Sequence, residues 1–163
     1  MNPDTTQSVK LTGAAHYAEA LDTICGLTQH SLCIFEKDFL NIGFDSSNRF
    51  EQLRSMLLAN PYNRLQLLAS DIRPLSQYCP RLMSLLRQFG HNMYIYQLPK
   101  HLQHLTDPFA VADESHYVRR YHFDNTRGIL ALNDAEKSRQ LKSRFIEMWN
   151  ASNPSPLTSS FTL

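Results

Sequence analysis

At 163 residues the chain has the length of one ordinary domain. With 42% hydrophobic and 19% charged residues it can bury a core, which excludes a disordered or membranous class. Lys and Arg (16) nearly balance Asp and Glu (15), so no global field draws the chain to nucleic acid or anionic lipid, and a polyanion would have to meet a local patch.

Residues 1–13 are polar and read as a flexible arm. The segment MNPDTTQSVKLTG has neither a basic start nor an apolar stretch, so no secretory signal is expected. From Ala14 the apolar residues Tyr17, Ala18, Leu21, Ile24 and Cys25 recur at helical spacing, predicting a helix over 14–29. Ser31 to Phe35 is a short apolar run closed by Glu36, which reads as a buried, parallel-type strand. Asn48 with Glu51 has capping-box spacing, and the helix after it stops at Asn60-Pro61. Strands are expected at 64–69 and 92–98. The helix between them has Pro80 as its first residue and Leu82, Leu85, Leu86 and Phe89 on its apolar face.

The second half is denser in strands. Residues 108–112, 117–123 and 129–132 read as three strands separated by acidic or polar turns. Asn133 with Glu136 caps a final helix whose inner stripe is Leu141, Phe145, Met148 and Trp149. The tail, 153–163, is rich in Ser and Pro and reads as disordered. The whole is expected to be one α/β domain over 14–152, a mixed sheet flanked by helices, parallel where strands alternate with helices and antiparallel later.

Cys25, Cys33 and Cys79 form no CxxC pair and no disulfide framework. They suit buried thiols in a reducing compartment, and a cytoplasmic location is expected. No apolar run reaches the roughly 18 residues of a spanning helix, so no membrane partner is expected. No Gly-rich phosphate loop or Gly-x-Ser-x-Gly elbow occurs, and no cofactor is expected. His101, His104 and Asp107 have the spacing of a partial ligand set but no fourth partner, so a solvated loop is expected there rather than a metal.

Three phrases carry a family resemblance: AEALDTICGLTQHSLCIF, RFEQLRSMLLANPYNRLQLLAS and NDAEKSRQLKSRFIEMWNAS. In order and type of element they resemble one half of a phospholipase D-like domain. That resemblance implies phosphodiester chemistry based on His-x-Lys-x4-Asp, with two copies of the motif meeting in one site, and hence a homodimer. No His-x-Lys occurs anywhere in this chain. In the register that ends on Asp113, the Lys position holds Pro108 and the His position holds Thr106. Neither replaces a cation or an imidazole nucleophile.

On an ideal strand His116, Val118, Arg120 and His122 share one face, with Arg127 just past the turn. Arg120, His122, His116, Arg127 and Asp113 are therefore the candidate phosphate- or anion-binding residues. The bland alternative for Arg120 is an ion pair with a nearby carboxylate. Two functions follow: a non-catalytic phospholipase D-like module that binds a phosphorylated ligand or a protein partner, or a phosphodiesterase in which His104, His116 or His122 replaces the nucleophile. Alternating Arg and aromatic residues also resemble a nucleic-acid surface, which two arginines support only weakly.

Overall fold

The computed structural model of the chain describes residues 5–40 and 42–154. Along the chain these form β1 (Gln7–Leu11), α1 (Ala14–Leu27), β2 (Ser31–Glu36), α2 (Ser47–Ala59), β3 (Arg64–Ala69) and α3 (Leu75–Tyr78). Then come α4 (Pro80–Gln88), β4 (Met93–Gln97), β5 (Phe109–Ala112), β6 (His116–His122), β7 (Asn125–Leu132), α5 (Ala135–Ala151) and the two-residue β8 (Asn153–Pro154). One sheet holds all the strands in the order β1-β7-β6-β5-β2-β3-β4-β8. β2, β3 and β4 are mutually parallel, and every other pairing is antiparallel. This is the mixed α/β sheet flanked by helices that the sequence predicts.

Alternation along the strands divides the core in two. Ile34, Leu67 and Ile95 pack with the apolar stripes of α1, α2 and α4 on one face. Phe35, Leu68 and Phe109 pack with Leu141, Phe145 and Met148 of α5 on the other. Trp149 stacks on Tyr96 at 3.9 Å between ring centres, closing the far end of α5 onto β4. α5 packs against β2, β5 and β6, and β7 and β1 lie beyond it.

Several expectations are corrected. Residues 7–11, read within a flexible arm, form an edge strand paired with β7 from Gln7↔Leu132 to Leu11↔Gly128. Only Leu11 of that strand is buried, so its alternation is too weak to read from sequence. Of the tail read as disordered, Asn153 and Pro154 pair with β4, and 155–163 lie outside the described residues. The cap of α2 is Ser46, whose Oγ accepts from Arg49 N, rather than Asn48. The cap of α5 is Asp134, accepting from Lys137 N, while Asn133 takes φ 58° to turn the chain off β7. β7 begins at Asn125, because the β6–β7 turn is tighter than the polar run Asp124 to Gly128 suggests.

Candidate functional site

Glu36, Ala69 and Gln97 end the three parallel strands at one edge of the sheet, where open α/β sheets hold ligands. β5 runs antiparallel to β2, so its beginning lies at the same edge, with Phe35 opposite Phe109. The carbonyls of Thr106 and Pro108 accept from Phe123 N (2.8 Å) and Arg120 N (3.0 Å), extending the β5–β6 pairing toward that edge. Thr106 and Pro108, which stand in the His and Lys positions of the motif register, therefore lie beside Arg120.

Arg120 is 7% exposed, and its charge is met from within the protein. Its Nη2 donates to Glu36 Oε1 at 2.9 Å and its Nη1 to Phe123 O at 3.2 Å. The guanidinium lies 4.3 Å from the centre of the Tyr17 ring. The Tyr17 hydroxyl donates to Glu36 Oε2, so both carboxylate oxygens are engaged. Burial pushes the Glu36 carboxyl up to about 7, against the pull of Arg120 and of the Tyr17 hydrogen bond. Burial and the neighbouring Glu36 likewise hold the Tyr17 phenol well above its ordinary range. The result is a buried Tyr–Glu–Arg cluster that ties α1 to β2 and β6.

The five residues read as one anion site do not converge. Asp113 and His116 lie at the opposite end of β5 and β6 from Arg120, since Ala112 pairs with His116 and Pro108 with Arg120. Asp113 takes φ 54° and caps the α1–β2 turn: its carboxylate accepts from Gln29 N (2.7 Å), His30 N (2.7 Å) and Ser31 N (2.9 Å). His116 Nδ1 accepts from Asn133 N at 3.0 Å, and burial lowers its pKa. The register shifts between Arg120↔Gly128 and His122↔Asn125, with the extra residue on β7 before Gly128. His122 Nδ1 accepts from Asp124 N at 3.0 Å, and Arg127 is exposed.

Two other arrangements, one buried and one half-buried, went unread in the sequence. Arg49 is fully buried; its Nε donates to Asp22 at 2.8 Å and its Nη2 to Ala18 O, and it lies 4.7 Å from the Phe44 ring centre. It pins α1 to α2. Asp107, the third member of the His101/His104/Asp107 set, gives both carboxylate oxygens to Arg144. Burial alone would raise Asp107, but the hydrogen bonds and charge of Arg144 hold it below the usual carboxylate range. The three cysteines are buried and their thiols are pushed up by burial, Cys25 to about 12 and Cys33 and Cys79 to about 11. They are inert packing groups at neutral pH.

A domain of unknown function, DUF7931, matches residues 13–161. The chain belongs to the DUF7931 family. No protein of curated function matches the sequence. Among solved structures the fold is similar to TrmBL2, an archaeal chromatin protein whose structure shows a mode of DNA binding. There the TM-score is 0.67 and the identity 11%, over 91% of this chain and 54% of that one. The DUF7931 chain thus spans about half the length of TrmBL2. It is also similar to Nuc from Salmonella typhimurium, a phospholipase D family member. That match has a TM-score of 0.66 and 9% identity, over 93% of this chain and 97% of that one. NucT from Helicobacter pylori matches with a TM-score of 0.61 and 13% identity, over 93% of this chain and all of that one. At these identities the likeness establishes a phospholipase D-like fold.

Proposed function

We propose that this DUF7931 chain is a non-catalytic phospholipase D-like module that binds a phosphate-bearing ligand, carried by a small molecule or a partner macromolecule. The observation that carries the non-catalytic part of the reading is the state of Arg120. The guanidinium that should meet a phosphate at the carboxyl edge is buried against Glu36 and Tyr17, and the neighbouring register positions are Thr106 and Pro108. Phosphoryl transfer needs a positioned nucleophile and cations on the developing charge, and losing either costs orders of magnitude in rate.

The histidines support the same reading. A neutral imidazole whose Nδ1 accepts a hydrogen bond carries its proton on Nε2, so that nitrogen offers no lone pair for attack. His116 and His122 both accept at Nδ1. Of the five candidate residues, His122 and Arg127 beside the β6–β7 turn are the two exposed to solvent, and they remain the proposed ligand contacts from that set. The likeness to a DNA-binding chromatin protein and to a phospholipase D family member favours a phosphate-bearing ligand. By analogy with a site built from two halves, the module is expected to pair with a second copy, and light scattering at tens of micromolar should give twice the chain mass.

The test is turnover of bis-aryl phosphate and phosphatidylcholine by the intact protein and by His104→Ala, His116→Ala and His122→Ala. No turnover in any form is expected. Turnover that one histidine substitution abolishes would establish the alternative, a phosphodiesterase with an altered histidine site.

A further inference from the structure

The face of the sheet that α5 leaves open gathers cations from four elements. Arg119 of β6, exposed Tyr121 and the α5 residues Lys137 and Arg144 line one groove of about 510 Å3 between α5 and the β6–β7 ribbon. Register extends the patch outward. Arg119 pairs with Ile129, which pairs with Lys10 of β1, and directly opposed residues on antiparallel strands point to the same face. Arg127, two residues before Ile129, lies in the irregular stretch of β7 opposite Tyr121 and is exposed. Lys10, Arg127 and Lys137 are exposed, and the Arg119 side chain is 39% exposed. Asp107 holds Arg144 and lies 3.9 Å from Arg119, Asp134 lies beside Tyr117, and exposed Glu136 and Asp124 flank the patch at α5 and at the β6–β7 turn.

We propose that this open face, built on Lys10, Arg119, Tyr121, Arg127 and Lys137, binds single-stranded nucleic acid. The inference rests on the reading of the module as a binder of phosphate-bearing ligands, and it names the partner and the surface. Spaced cations along an extended path match the phosphates of a polyanion better than one compact phosphate, which would need them converging on a point. A broad sheet face is shaped to take a flexible strand laid across it. Exposed Tyr121 between Arg119 and the turn offers a ring on which a base stacks, a contact that every base can make. The surface lies on the α5 face of the sheet, whereas Arg120 turns to Tyr17 of α1 on the other, so binding here does not require the missing nucleophile.

The probe is a fluorescein-labelled 20-nucleotide oligo-dT, with oligo-rU alongside, followed by anisotropy with the full chain. If about four phosphates are neutralised, raising salt from 50 to 200 mM should weaken binding roughly 50-fold. Lys137→Glu and Arg127→Glu, both at solvent-exposed positions that leave the fold intact, should each weaken it about tenfold or more. Tyr121→Ala should cost about tenfold. Arg54→Glu on α2, on the opposite side of the sheet, should change nothing. The inference is overturned if no oligonucleotide binds at 50 mM salt. It also fails if Lys137→Glu and Arg127→Glu bind as the wild type does, or if phosphatidylserine vesicles bind while both oligonucleotides do not. Cleavage of the oligonucleotide bears on a different point: it would overturn the non-catalytic reading while leaving the surface assignment to the variants.

Discussion

Glu36 is the residue whose environment departs most from what its neighbours in sequence suggest. It follows a run of strand formers and reads as a polar stop, yet it is 2% exposed and held by Arg120 and Tyr17. Its carboxyl rises from 4.5 to about 7 on folding, so between those values the native state holds a proton that the unfolded chain has released. Stability must then fall as pH rises through this window; the contribution is fully present below about 4.5 and gone above about 7. The shift caps the effect at about 3 kcal/mol. Urea unfolding from pH 4.5 to 7.5 should show the decline in the wild type and lose most of it in Glu36→Gln. An equal slope in both proteins would place the titration elsewhere. Asp113 makes the complementary case, a side chain whose two oxygens accept from three backbone amides. Asp113→Ala strips acceptors from three amides and should cost about 2–4 kcal/mol in the same assay. Asp113→Asn, which keeps a single acceptor oxygen, should lose less. Both roles depend on partners far along the chain, which is why residue spacing alone put Asp113 in a ligand site and passed over Glu36.

At the scale of elements, the sequence was most legible where burial is one-sided and periodic. The helices begun near Ala14 and Pro80 and the strands at 64–69 and 109–112 stand where their apolar spacing puts them. It was least legible where the backbone itself does the work. The register shift between Arg120↔Gly128 and His122↔Asn125 puts an extra residue on β7, and no side-chain pattern announces it. Gly128 sits opposite Arg120 at this point, and a Cβ built there would lie 2.0 Å from the carbonyl oxygen of Arg119. Strand backbones that approach so closely tolerate only glycine. Gly128→Ala should therefore force β6 and β7 apart, destabilise by roughly 2–3 kcal/mol and disturb the pairing of β1 with β7. Amide exchange should quicken at Arg119 to His122 and at Val9 to Leu11, and unchanged protection there would show that the strands can shift at little cost. Strand β1 itself escaped notice because only one of its five residues is buried.

For the whole molecule, the fold and the chemistry separate cleanly. Among the described residues an eight-stranded mixed sheet with helices on both faces supplies the carboxyl edge of a phospholipase D-like fold, and beside that edge Arg120 is paired with Glu36. The resemblance read from three sequence phrases extends over nearly the whole of Nuc and NucT. What sequence did not disclose was the charge distribution: β1, β6, β7 and α5 bring Lys10, Arg119, Arg127 and Lys137 together only after the sheet has formed. The most direct test of a fold that binds without cleaving is a single-turnover experiment. Protein in excess is mixed with an oligonucleotide labelled at both ends, and complex and strand length are read from the same samples over hours. The account predicts a salt-sensitive complex from which full-length strand is recovered. Shortened strand, appearing at a rate that falls with His122→Ala or His104→Ala, would contradict it.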